Sequence, residues 1–275
     1  MGAFSSALYP KEVIIDDDNY LQHAPPQDHV VAGEERLRGR IARDWDKVPY
    51  GSMPFAKKVD FPLIPENEWA DRIKEMEEQK SRLSDLLLLA GIPSLNQSNT
   101  NYCWGNAVIT AIETLRCRMK CKYVKLSSAS VCAPIKRYRN QGGWGSQALD
   151  YIVEHGVAAA SLWPAHYWKD DRYNTPETKA NAALHKVKDW YDVPNRDFPV
   201  LMTLLLMRIP VPIGLNWWGH EVCAIDPVVI GRDFGARIRN SWGDSYGDRG
   251  FNILSRSKAT PDDAVAPIRV DSTQV

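Results

Sequence analysis

No stretch of this sequence reads as a membrane span. Its most apolar region, residues 198–215, carries Arg208 and three prolines, Pro199, Pro210 and Pro212, where a spanning helix needs about 20 largely apolar residues. Charge of either sign is not in excess. Lys and Arg total 34, Asp and Glu also 34, so the formal net charge is zero. A nucleic-acid partner is therefore not expected, because a phosphate backbone selects a basic surplus. The one basic stretch, residues 116–125, reads as a solvated helix end. Cysteine is scarce, at positions 103, 117, 121, 132 and 223 only. Cys117 and Cys121 have no Cys or His pair nearby to complete a zinc site, so neither a metal nor another cofactor is expected. The first ten residues, MGAFSSALYP, lack the charged and apolar regions of a secretory leader. The expectation is a reducing, intracellular setting, cytoplasmic or particle-associated, with all five thiols free.

What is present is apolar and aromatic. The 275 residues are 44% hydrophobic and include ten Trp and eleven Tyr, enough to bury one large core or two smaller ones. Eighteen prolines argue for a loop-rich domain and against a bundle. Residues 1–65 hold an acidic run, Asp16 to Asp18, and seven prolines, with poor periodicity outside residues 34–45. They read as an extended arm, with a role in assembly one option. Trp69, Ile73, Met76, Leu83 and Leu87 then recur at helical spacing, predicting one helix over residues 66–90, stopped by Gly91 and Pro93. A second helix starts near Cys103. Its apolar stripe is Trp104, Ala107, Val108, Ala111, Ile112 and Leu115. Further helices are predicted over residues 146–155 and 197–207, with Asp197 as N-cap. Beyond them, residues 211–216, 221–225, 236–239 and 251–254 read as short strands. Helices first and strands second predict an α+β fold of two subdomains, with a cleft between them. We divide the chain into an N-terminal extension (1–91), a helical subdomain (92–172) and a strand-rich subdomain (173–275).

Cys103 stands where a polar segment turns into an apolar helix. Backbone N–H groups and the helix dipole favour a thiolate there. Taken alone, such a residue reads more readily as a small buried hydrophobe. His220, at the start of a strand, and Asn240, followed by Ser241-Trp242-Gly243, change that. A thiol nucleophile needs a base, and the base needs a group to orient its ring. Cys, His and Asn meet that requirement.

These segments resemble the papain family of cysteine peptidases. Gln97 precedes Cys103 by six residues, as in the family, and Cys103-Trp104 matches its Cys-Trp pair. Asn240-Ser241-Trp242-Gly243 and the following Tyr246-Gly247-x-x-Gly250-Phe251 match, as do Gly142-Gly143 and Leu162-Trp163-Pro164. The resemblance runs from Ile92 to Leu254. It implies a papain-like fold, a peptide or protein substrate and the following roles. Cys103 attacks as thiolate, His220 holds the ion pair and protonates the leaving amine, and Asn240 orients His220 under the shield of Trp242. The Gln97 amide and the Cys103 N–H form the oxyanion hole. Gly142 and Gly143 line the substrate groove. Trp144 and Trp218, with Trp217, lie where relatives shape the pocket for the second residue before the scissile bond, so an aromatic-walled pocket is expected.

The departures are equally specific. The family's disulfide cysteine three residues before the nucleophile is Thr100 here, with Cys132 where its partner would be. Glu221 follows His220, where relatives carry a small residue. The helix over residues 66–90 is expected to be a permanent packing element, not an inhibitory pro-segment. Two other readings stay open: a non-catalytic papain-like binding or structural protein, and a transglutaminase-like acyl transferase. The intact set of four residues weighs against the first, and Asn240 in place of an Asp against the second.

Overall fold

The structure, a computed structural model, describes residues 12–24, 29–31 and 34–271. The first eleven residues of the expected N-terminal extension lie outside the described residues. Short elements come first: β1 (Ile14–Ile15), α1 (Tyr20–His23), β2 (His29–Val31), β3 (Glu34–Arg36) and β4 (Ala56–Lys57). Helices follow: α2 (Glu66–Glu78), α3 (Leu83–Leu89), α4 (Cys103–Arg118), α5 (Ser128–Ile135), α6 (Gly145–His155) and α7 (Pro176–Ala182). The last third holds β5 (Val187–Val193), α8 (Phe198–Leu206), β6 (Val211–Leu215), β7 (His220–Ile230), β8 (Asp233–Arg239), β9 (Phe251–Ser255) and β10 (Asp263–Val270). Eight strands make one sheet in the order β1-β9-β8-β7-β6-β10-β5-β4. Its two edge strands come from the N-terminal arm and pair parallel, whereas the central neighbours are antiparallel. The architecture is α+β, as the pattern of elements predicts.

Two apolar bodies meet along α4. One gathers Val108, Ile112, Leu149 and Ile152 from the helices and Trp163 from the loop after α6, with Trp190 and Val265 from the sheet. The other gathers Leu201, Leu204, Ile213, Ala224, Ile238 and Trp242 beneath α8. Helix α4 is buried from Cys103 through Arg116, not along a single stripe. Its polar residues are satisfied inside: Thr114 Oγ1 donates to the Thr110 carbonyl (2.6 Å), and Glu113 accepts the Leu126 N–H (2.9 Å).

The helix predicted over residues 66–90 is two helices. Lys80 takes a left-handed φ of 50° and closes α2, with the Ser81 N–H returning to the Met76 carbonyl. Asp226, on β7, then accepts the N–H groups of Leu83 and Ser84 and caps α3. Both helices pack onto the main fold. Trp69 and Ile73 meet Met202, and Leu83 and Leu87 meet Ala111 and Ile225. Strand β10 escaped the sequence reading because Pro267 interrupts it; its ladder to β5 shifts register just past that residue.

Candidate active site

The strand pair β7–β8 positions the candidate base. His220 is the first residue of β7, and Asn240 follows the last residue of β8. Antiparallel pairing brings their side chains together, and His220 Nε2 lies 2.8 Å from Asn240 Oδ1. The Ser241 N–H donates to the same oxygen at 2.7 Å. Two donors converging on Oδ1 fix the amide orientation, so Nε2 carries the ring proton and Nδ1 is the nitrogen able to accept one. Asn240 is itself held: its N–H donates to the Gly250 carbonyl (2.8 Å), and its carbonyl accepts Ser94 Oγ (2.6 Å). Trp242 stacks on the imidazole with centroids 4.7 Å apart and planes 28° from parallel. Trp218 meets both rings edge-on. All four side chains are buried, so the hydrogen bond is kept from water.

Cys103 opens α4, and its sulfur faces the start of β7. The backbone N–H groups of Gly39 (3.3 Å) and Glu221 both point at it. Glu221 is the residue after His220, so thiol and imidazole come from adjoining pieces of backbone. The expected depressed thiol pKa is absent in this state. Burial pushes it up to about 12, with the Glu221 carboxylate adding to the rise. The helix N-terminus is present, but the sulfur is sealed, and desolvation of the anion outweighs the dipole.

Gln97 sits on the loop before α4. Its Oε1 accepts Ser241 Oγ at 2.6 Å, which turns Nε2 the other way, toward the carbonyls of Thr100 (2.9 Å) and Leu37 (2.6 Å). Sequence reasoning assigned Ser241 no role; the structure makes it the residue that orients the Gln97 amide. The same loop has a brace that is not a disulfide. Asn140 Oδ1 accepts the Asn101 N–H (2.6 Å), and Asn140 Nδ2 donates to the Asn99 carbonyl (3.1 Å). Cys132 does not take part. It packs in the core against Gly105, and none of the five cysteines is in a disulfide.

The groove beside the thiol is filled by the protein's own chain. Residues 37–41 cross it, with the Leu37 carbonyl on Gln97 and the Gly39 N–H on Cys103. The Gly143 N–H donates to the Gly39 carbonyl, and the Ile41 N–H to the Gly143 carbonyl, both at 2.9 Å, in parallel pairing. A Cβ on Gly142 would collide with the Gly39 carbonyl, and one on Gly143 with the Trp104 ring. These glycines let a peptide backbone lie flat against them. Trp144 caps α6, with the Lys136 ammonium over its ring. Trp218 offers only its carbonyl to the arm, accepting from Arg38 (3.3 Å). The pocket that the arm enters is not the aromatic one expected. Arg40 runs into it beside Gly214, Asn216, Glu221 and Asp263. Glycines line that pocket because residues 145 and 214 have no room for a Cβ. Among the described residues no cluster of three or more His, Cys, Asp or Glu suits a metal ion, and no helix is long and apolar enough to cross a membrane.

Comparison with known proteins gives one family. Residues 92–226 match the model of the papain family cysteine proteases. Cysteine proteinase 2 of Entamoeba histolytica is 30% identical over 128 residues, covering 40% of this chain and 41% of that protein. Macrodontain-1 of Ananas macrodontes is 27% identical over 58% of this chain and 82% of its own length. The match to cathepsin L 1 of Paramecium tetraurelia covers 54% of that protein, so the chain spans about half the length of several relatives. Among solved structures, digestive procathepsin L 3 of Tenebrio molitor superposes with a TM-score of 0.58 at 15% identity, over 91% of this chain and 86% of that one. Residues 92–226 therefore resemble the papain family cysteine proteases, and the chain takes a papain-like α+β fold with none of its five cysteines in a disulfide.

Proposed function

We propose that this protein is a cysteine-type peptidase whose nucleophile is covered by residues 37–41 of the same chain. The observation that carries the reading is the His220 Nε2–Asn240 Oδ1 contact of 2.8 Å under the Trp242 ring. It leaves Nδ1 as the basic nitrogen in a site next to a thiol. Once the arm has moved aside, Nδ1 takes the Cys103 proton. The thiolate then adds to the scissile carbonyl. Gln97 Nε2, at present on the Leu37 carbonyl, and the Cys103 N–H hold the oxyanion. As the C–N bond breaks, the imidazolium returns its proton to the departing amine, leaving an acyl-enzyme. His220 then activates a water, which releases the acid and restores the thiol.

The test uses the full chain and a fluorogenic peptide. Gly39→Ala, which forces the arm off the groove, should raise cleavage, and adding Cys103→Ala should abolish it. Cleavage that survives Cys103→Ala would sink the proposal. So would an epoxide inhibitor that, in the Gly39→Ala protein, labels Cys117 as heavily as Cys103. A permanently sealed, non-catalytic domain is the rival reading, favoured by the buried Arg43–Asp192 ion pair (2.7 Å) that ties down the end of the arm. It predicts no labelling of Cys103 in any variant.

A further inference from the structure

One residue beyond the backbone that touches the nucleophile, the arm inserts a charged side chain. Arg40 follows Gly39, turns away from the sulfur and lies against Gly214, where a Cβ would overlap its guanidinium. Its Nη1 bonds Asn216 Oδ1. Its Nε and Nη2 are buried with no hydrogen-bond partner. The walls of this pocket are acidic. Glu221 is 2% exposed, and its Oε2 is likewise buried and unpartnered. Its Oε1 lies against Gly145, where a larger residue would displace it. Asp263 is 3% exposed and shares one cation, Arg43, with Asp192. Arg43 gives two nitrogens to Asp192 (2.7 and 2.8 Å) and only a longer contact of 3.2 Å to Asp263. Asp192 and Asp263 thus share one permanently held cation, Arg43, while Glu221 and Asp263 both feel Arg40, the second positive charge. Burial holds the Glu221 carboxyl well above its ordinary value, helped by Asp263, and Arg40 pulls it back down.

Such a pocket is poorly suited to an apolar side chain. A leucine there would leave the unpartnered, buried Glu221 oxygen facing hydrocarbon, which is costly. A guanidinium would meet an unpartnered carboxylate oxygen and a pocket of opposite charge, and its planar fork suits a carboxylate better than an ammonium does. Arg43 also bonds the carbonyls of Val48 (2.9 Å) and Pro49 (2.8 Å), so it belongs to the scaffold and stays when residues 37–41 leave.

We infer that Glu221 and Asp263 make this pocket a cation-accepting subsite, so that the peptidase selects substrates with arginine, and lysine less well, as the second residue before the scissile bond. This rests on the peptidase reading above, and Arg40 is the intramolecular stand-in for that substrate residue.

The experiment compares three peptides that differ only at that position, carrying Arg, Leu or Glu. The full chain is used with Gly39→Ala, which forces the arm off the groove, together with Arg40→Ala, which empties the pocket. The Arg peptide should have a kcat/KM at least about tenfold above the Leu peptide, the worth of one charge-assisted hydrogen bond. The Glu peptide should be cleaved least. Glu221→Gln and Asp263→Asn, each added separately, should shrink the Arg-to-Leu ratio toward one. Binding of the same peptides to the Gly39→Ala, Arg40→Ala protein carrying Cys103→Ala gives a second readout that needs no catalysis. An Arg-to-Leu ratio of one or less in kcat/KM or in affinity overturns the subsite, as does a ratio indifferent to both substitutions. Absence of cleavage of all three peptides, with the Arg preference in binding intact, would overturn the peptidase reading and leave the subsite standing.

Discussion

Gly39→Ala isolates the arm's hold on the nucleophile. The new Cβ would fall on the backbone of Asn101. That backbone cannot retreat, because Asn140 ties residues 99 and 101 in place. Residues 37–41 must therefore leave the groove, and Cys103, now fully buried, meets water. Its pKa should fall from about 12 toward the ordinary 9.0 or below, as the α4 N-terminus takes effect. At pH 7 the thiolate fraction rises from about 10⁻⁵ to about 10⁻², a ~1,000-fold gain or about 4 kcal/mol, before any gain from access. Alkylation by iodoacetamide measures this, with Cys103 and the half-buried Cys121 quantified from the same digest. Wild-type Cys103 should be nearly inert and Gly39→Ala at least a thousandfold faster, while Cys121 stays constant and the thermal melt is retained. If Cys103 reacts equally fast in both proteins, or in the wild type as fast as Cys121, the arm does not seal the thiol.

Other expectations follow from single contacts. Ser241→Ala frees the Gln97 amide to turn, so kcat in the arm-released protein should fall by roughly tenfold, one hydrogen bond to a charged group, with KM little changed; an equal change in KM would point to a general loss of folding. Asn140→Ala removes the two side-chain hydrogen bonds that brace residues 99 and 101, about 2 kcal/mol, which should lower Tm by roughly 4–8 °C; an unchanged melt would refute the brace. Glu113 titrates near pH 7 in the folded protein because burial disfavours its charge, against an ordinary 4.5. The folded state then holds a proton that the unfolded state has lost, so stability falls as pH rises from about 4.5 to 7. At about 1.4 kcal/mol per pH unit, the loss approaches roughly 3 kcal/mol. Glu113→Gln should flatten that slope in denaturant titrations at pH 5 and 7.5, and an unaltered slope would place its cause elsewhere.

Much of the site was legible in the sequence because the chemistry narrows the choices. A thiol nucleophile, its base and the group that orients the base have few substitutes, and the motif around Asn240 places it one residue past β8. Helix α4 was legible from its spacing, and the Asp197 cap of α8 from its side chain, which accepts the Val200 N–H at 2.9 Å. The break between α2 and α3 was not, because the cap of α3 comes from Asp226, 143 residues away. The brace on the nucleophile's loop was invisible for the same reason. Nothing local marks Asn140 as the partner of Asn101, and Cys132 drew attention only because it stands where the family's disulfide partner would be.

Cys103 as a potential nucleophile, with Gln97, His220 and Asn240 in attendance, follows from residue type, order and local pattern. The α+β class follows from hydrophobic period. The state of that nucleophile does not. A thiol at a helix N-terminus reads from sequence as activated, whereas the folded chain lays Gly39 on it and removes the water that would solvate its anion. The pocket chemistry was hidden likewise: Trp144, Trp217 and Trp218 suggested an aromatic wall, but strand pairing sets Glu221 and Asp263 in one cavity with Arg40. Local periodicity and propensity act over a few residues, whereas desolvation and buried charge depend on which distant segments meet, and only the tertiary structure decides that.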